Sequence, residues 1–126
     1  NRLNLKYTEI DDILDKSDYI TLNVPLTPKT KHFISRDEFS KMKKTAYIIN
    51  ASRGAVIDEK ALLEVLKNDR IKGAALDVFE IEPPGQNELI AMPNIVCTPH
   101  IGAQTVEAQE AAATDVSEGI IEFFRV

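Results

Sequence analysis

Cysteine is nearly missing from this 126-residue chain. Cys97 stands alone, which excludes an internal disulfide and fits a reducing, cytoplasmic compartment. Histidine is scarce as well: His32 and His100, with one cysteine, are too few and too scattered for a zinc site, so no metal is expected. The five glycines, at positions 54, 73, 85, 102 and 119, cannot make a G-x-G-x-x-G fingerprint or a Walker A loop. A G-x-S-x-G nucleophile elbow is absent. No apolar run approaches the length that spans a bilayer, and no secretory pattern opens the chain. Positive charge is in deficit, with 15 Lys and Arg against 20 Asp and Glu for a net charge of −5, which gives no support for a nucleic-acid surface. The basic cluster Lys41, Lys43 and Lys44 sits at the end of an expected helix, where it favours the helix dipole.

What is present suits one modest α/β domain. Hydrophobic residues make up 44%, enough for a core and too many for disorder. Thr8-Glu9-Ile10-Asp11 reads as a capping box with Thr8 as N-cap of a short helix over about 9–15. Residues 18–24 read as a strand ended by Pro25. A second capping box at Ser35–Glu38 predicts a helix to about Lys43, and residues 45–50 a strand. Asp58 is placed to cap a third helix with the stripe Ala61, Leu62, Val65 and Leu66. A strand over 71–78 follows, its Gly73, Ala74 and Ala75 suiting close packing between helices. After Pro83-Pro84-Gly85 come one helical turn at 89–91, a short buried strand at 95–97, and a long helix from about Thr105 to Phe124. Alternation of this kind predicts a parallel sheet covered by helices on both faces.

Three polar clusters each follow an apolar run: Asn50-Ala51-Ser52-Arg53-Gly54, Asp77-Val78-Phe79-Glu80-Ile81-Glu82-Pro83-Pro84 and Thr98-Pro99-His100-Ile101-Gly102. In an open α/β sheet, groups at the carboxyl ends of parallel strands converge on one crevice. The Arg53 guanidinium can grip a carboxylate through two parallel hydrogen bonds; a surface arginine paired with a nearby acid is the competing reading. His100 can move a proton near neutral pH, or be a satisfied surface histidine. Glu80 and Glu82, two apart, point the same way in extended chain, so either could partner His100. Asp77 faces the crevice as an acceptor, or caps a turn. His32 has no acidic cluster beside it in sequence and reads as structural. Cys97, in an apolar strand, reads as a buried, inert thiol.

Taken together, the motifs Asp18–Thr27, Ile49–Gly54, Ala74–Pro83 and Thr98–Ala103 resemble, in order and over nearly the whole chain, the D-isomer-specific 2-hydroxyacid dehydrogenase family. The stretch Gly102–Gln109 is most similar to its D-3-phosphoglycerate dehydrogenases. The resemblance implies an α/β, Rossmann-like parallel sheet that lacks its glycine-rich first half. Residues 1–104 would be the second half of an NAD-binding domain, and 105–126 a long crossover helix toward the substrate lobe. It implies that Arg53 binds the substrate carboxylate, that His100 is the acid/base and that Glu82 holds it. Val24, Pro25, Ala51, Ser52, Arg53, Asp77, His100, Gly102 and Ala103 would line the cofactor cleft. The implied cofactor is NAD, with NADP not excluded. The implied partner is a small 2-hydroxy or 2-oxo acid, with no nucleic acid and no membrane, in a homo-oligomer. The function implied is oxidation of 3-phosphoglycerate to 3-phosphohydroxypyruvate in serine biosynthesis. A glyoxylate/hydroxypyruvate reductase and a nucleotide-sensing corepressor-type module are the alternatives. With the glycine loop elsewhere, this chain alone is expected to bind NAD weakly and to lack turnover.

Overall fold

The computed structural model describes residues 6–125. Its elements are α1 (Ile10–Lys16), β1 (Tyr19–Leu22), α2 (Arg36–Lys41), β2 (Tyr47–Asn50), a 3-10 turn at Gly54–Val56, α3 (Glu59–Lys67), β3 (Gly73–Leu76), β4 (Ile95–Cys97) and α4 (Val106–Phe124). The four strands form one sheet in the order β1-β2-β3-β4, all parallel. Register is the feature that matters for function. Leu22, Asn50, Leu76 and Cys97, the last residues of the four strands, lie side by side. The segments that leave the sheet after them therefore start from one edge.

Local signals account for most boundaries. Asp58 caps α3, accepting from the Lys60 and Ala61 amides at 3.1 Å each. Glu38 reaches back to the Ser35 amide at 3.0 Å, the acid half of the expected capping box. At α1 the expectation fails. Glu9, not Thr8, is the cap residue, without a side-chain cap bond, and the Thr8 hydroxyl lies 3.0 Å from Asp12 Oδ2 instead. One exposed turn with an acid in reach lets the threonine bond a side chain rather than an amide. The strands expected at 18–24, 45–50 and 71–78 contract to four residues each, with single backbone bonds to the neighbouring strand continuing at Asp18, Ala46, Lys72 and Asp77.

The expectation of two covered faces is corrected. Ile20, Leu22, Ile48, Ala74 and Leu76 are buried against Leu14 of α1, Phe39 of α2 and Ala61, Leu62 and Leu66 of α3. A fully buried leucine or phenylalanine contributes about 1.5–3 kcal/mol, so this face carries the stability. The alternate residues, Tyr19, Tyr47, Ile49, Ala75 and Val96, are exposed or half-buried on the other face, where the Tyr19 and Tyr47 rings stack 5.4 Å apart. The physical reason is connectivity: successive parallel crossovers of one hand put their helices on one side of the sheet. β4 is thus a half-exposed edge strand, not a buried one, with Val96 66% exposed. Gly73 is small because of its neighbours in the sheet and a loop: an added Cβ would stand 2.7 Å from the Asn94 carbonyl oxygen. The helix α4 buries no residue and presents Val106, Val116, Ile120, Ile121, Phe123 and Phe124 to solvent. No helix among the described residues is long and apolar enough to cross a membrane.

Candidate active site

The first cluster leaves β2. Asn50 is 1% exposed and organises it, accepting from the Ser52 amide (3.1 Å) and hydroxyl (2.9 Å) and donating to the Arg53 carbonyl (3.0 Å). A buried amide with all these bonds made fixes the turn that presents Arg53. Arg53 is exposed. Its guanidinium donates to the Ser52 carbonyl at 2.7 Å, and among the described residues it makes no ion pair. The competing reading, an arginine neutralised by a nearby acid, does not describe it.

The second cluster leaves β3. Asp77 is 8% exposed and accepts from the Thr98 hydroxyl (2.5 Å) and the Ile101 amide (2.8 Å) on one oxygen, and from the Gly102 amide (2.8 Å) on the other. Burial alone would push its carboxyl up, but these three hydrogen bonds outweigh it and hold the group below its ordinary value of 3.8. Both readings of Asp77 thus meet in one residue: it faces the crevice and pins a turn. That turn carries His100, whose φ is +56°, a left-handed conformation that a non-glycine residue keeps only where its surroundings hold it. Gln104 adds a bond to the His100 carbonyl at 2.9 Å.

Asparagine in place of Asp77 would turn one acceptor into a donor against an amide, at a cost of about 1–3 kcal/mol. Because the folded carboxyl titrates below 3.8, its contribution is present above that value and is lost as pH falls through the lowered one. Urea unfolding should show Asp77→Asn destabilised at neutral pH, with the gap closing below 3.8. A gap that is constant with pH would contradict the charge's role.

Glu82 accepts from the Phe79 amide at 3.0 Å and lies 2.8 Å from His100 Nδ1. The imidazole first, and the Phe79 amide second, hold its carboxyl below the usual range, so it is an anionic acceptor. Nδ1 then carries the proton toward Glu82, and Nε2 is left to exchange a proton with a ligand. Glu80 does not share this direction. The chain bends between Phe79 and Pro83, so the two-residue alternation of a strand does not apply. Glu80 turns to α3 instead, accepting from the Glu59 amide at 3.1 Å and approaching His32 to 3.2 Å. The expectation that no acid accompanies His32 is therefore overturned by a contact 48 residues away in the chain.

These segments line three hollows. Arg53, Glu82 and His100 line one pocket of about 260 Å³ with Leu26, Gly54 and Phe79. Beside it, Ala51, Asp77 and Gly102 share a cleft of about 280 Å³ with Ile49, Ala75 and Thr98. Val24, Pro25 and Ser52 meet Arg53 in a third hollow of about 540 Å³. Ala103 is exposed and lines none of these three. The Ala51–Gly102 cleft is mainly apolar, walled also by Leu76, Val96 and Ile101, and a Cβ added at Gly102 would come within 3.0 Å of Asp77 Oδ2. Burial, and next the Glu59 charge, push the thiol of half-buried Cys97 up, away from the thiolate that a nucleophile needs. No group of three or more His, Cys, Asp or Glu among the described residues could hold a metal.

Sequence reasoning missed the roles of Asn50, Thr98 and Gly54. A buried polar residue at a strand end was the available signal for Asn50. Thr98 and Gly54 act through contacts more than twenty residues away, which leave no local trace.

A parallel sheet with these groups at its carboxyl edge is of the Rossmann-like, nucleotide-binding class. The chain belongs to the D-isomer specific 2-hydroxyacid dehydrogenases: the model of that family's NAD binding domain matches residues 1–102. It is 53% identical over 117 residues to the D-3-phosphoglycerate dehydrogenase of Methanocaldococcus jannaschii, covering 93% of this chain and 22% of that protein. A glyoxylate reductase from Paecilomyes thermophila superposes with a TM-score of 0.80 at 40% identity, over 84% of this chain and 32% of that one. An acyclic imino acid reductase, solved in complex with NADPH and D-Arg, superposes with a TM-score of 0.86 at 35% identity, over 92% and 37%. The chain thus spans between about a fifth and two fifths of these relatives. The family's cofactor is a nicotinamide dinucleotide.

Proposed function

We propose that this chain carries the catalytic side of an NAD-dependent dehydrogenase for 3-phosphoglycerate, in the pathway to serine, and that the complete polypeptide is a homo-oligomer. One observation carries the reading: Arg53, a cation without an acidic partner among the described residues, shares a pocket with an imidazole–carboxylate pair, His100–Glu82. The 53% identity to a D-3-phosphoglycerate dehydrogenase supports the particular substrate. The bound nicotinamide supplies the hydride acceptor. Arg53 grips the substrate carboxylate and so aims C2 at the cleft. His100 takes the hydroxyl proton on Nε2 as the C2 hydride leaves, and the O–H electrons form the carbonyl. Glu82 keeps the imidazole aligned and balances the charge it gains. Val24, Pro25, Ala51, Ser52, Asp77 and Gly102 complete the cofactor side, with Ala103 outside it. Residues 105–126 cross to the substrate lobe; the solvent-exposed apolar residues of α4 support that placement. The isolated chain has no turnover, since its glycines form no phosphate-binding loop.

The test is NAD reduction by the complete polypeptide with 3-phosphoglycerate, glycerate and glycolate. A kcat/KM for 3-phosphoglycerate at least about tenfold above glycerate is expected, the scale of a lost polar contact. A preference for glycolate, with glyoxylate reduced in reverse, would replace this substrate by the second reading, which the likeness to a glyoxylate reductase favours. Arg53→Lys should lower kcat/KM about ten- to a hundredfold, because ammonium cannot make the paired bonds of a guanidinium. An unchanged value would remove Arg53 from the substrate.

A further inference from the structure

His32 and Glu80 are left unused by the mechanism, yet they stand against the back of the catalytic pocket. Glu80 lines that pocket together with Arg53, Glu82 and His100. The His32 imidazole Nε2 lies 3.2 Å from Glu80 Oε1; it is shielded from solvent and has no aligned hydrogen bond among the described residues. We propose that His32 and Glu80 form a second imidazole–carboxylate pair that positions the Phe79–Glu82 loop, and through it the Glu82–His100 pair.

Three contacts join the pieces. The His32 amide donates to the Ala55 carbonyl at 2.7 Å, and the Ile34 amide to the Val56 carbonyl at 3.2 Å, so the His32 segment is clamped to the chain that follows Arg53. Glu80 and Glu59 exchange bonds, each amide donating to the other's carboxylate, at 2.6 and 3.1 Å. Gly54 packs on the Phe79–Glu80 peptide, where even a Cβ has no room. The loop that carries Glu82 is thus held between α3 and the His32 segment, and its far end reaches His100.

The chemistry of the corner explains why an imidazole is needed. Asp58, Glu59 and Glu80 all bring carboxylates there. Asp58 is occupied by the Ser35 hydroxyl and two α3 amides, and Glu59 by Glu80's amide. Glu80 Oε1 accepts from one amide, that of Glu59. His32 is the group beside it that can offer a second N–H. The position also costs backbone freedom, since His32 sits at φ +51°, where asparagine or glycine is easier. Backbone geometry therefore does not account for a histidine there, whereas a contact with Glu80 does.

This inference rests on the dehydrogenase reading for its kinetic arm, and on geometry alone for its spectroscopic arm. His32→Asn keeps a residue that accepts left-handed φ, and Glu80→Gln keeps the carboxylate's shape; both are made in the complete polypeptide, singly and together. Each single variant should lower kcat about tenfold, within the range for a displaced catalytic group, with KM for NAD unchanged. The double variant should lose no more than the weaker single, because one contact is being removed. In ¹⁵N-histidine spectra, the His100 Nδ1–H signal should broaden or vanish in each variant, and the same spectra report the folded fraction. If turnover and the Nδ1–H signal match the parent in both singles, the proposal is overturned. If the parent itself has no turnover, the dehydrogenase reading fails, and the Nδ1–H signal alone decides this one.

Discussion

Exchanging His100 for glutamine in the complete polypeptide should lower kcat by about 10²- to 10⁴-fold, the range for a lost general acid–base group. Glutamine keeps a polar side chain of similar reach but cannot hold a proton at the end of a hydride transfer. Three features make His100 the residue to change. Its Nδ1 is taken by Glu82 at 2.8 Å, which leaves Nε2 for the substrate. Its backbone is locked by Asp77 through the Ile101 and Gly102 amides. Its ring opens onto the pocket that holds Arg53. KM for the hydroxy acid should change little, because Arg53 and not His100 carries the carboxylate. Dinucleotide binding, followed by quenching of nicotinamide fluorescence, should survive and show that the variant is folded. Turnover within about threefold of the parent would take the proton-transfer role away from His100, since even a weak general base contributes more.

Alanine at Gly54 should be the most damaging single methyl in the chain. Its Cβ would be built 1.9 Å from the Phe79 carbonyl carbon, 2.0 Å from the Phe79 oxygen and 2.5 Å from the Glu80 nitrogen. These are atoms of one peptide group, so no side chain can rotate away. Overpacking usually costs about 1–3 kcal/mol, and a backbone clash belongs at or above the top of that range. The direction of relief makes the effect functional as well. The turn carrying Arg53 and the loop carrying Glu82 must separate, so both lose their places in the pocket. Urea unfolding of Gly54→Ala should give a stability lower by about 3 kcal/mol. Any folded fraction should have kcat/KM reduced at least about a hundredfold. A variant as stable as the parent would mean that the two segments do not meet as closely as the structure places them.

That glycine also marks where reading along the chain stops being enough. A Gly after Arg53 suggests a tight turn, and the residue does open a 3-10 turn, yet its φ is not positive. Its need is for space against Phe79, twenty-five residues on. Glu80 and Glu82 tell the same story: identical residues two apart in one loop, sent to different histidines by bends that local propensity does not encode. His32 looked isolated because its acid comes from another strand's exit.

What could be read directly were features whose causes are local or periodic. The caps at Ser35 and Asp58, the apolar stripe of α3 and the start of α4 depend on residues within one turn, so pattern suffices. The motif order placed Arg53, Glu82 and His100 in one family's sequence, and the chain belongs to that family. Sheet register and the choice of covered face required folding. Parallel strands are joined only through neighbours distant in sequence, and one crossover hand decides which side the helices take. Register alone lines up Leu22, Asn50, Leu76 and Cys97, and that alignment turns three separate polar clusters into one pocket.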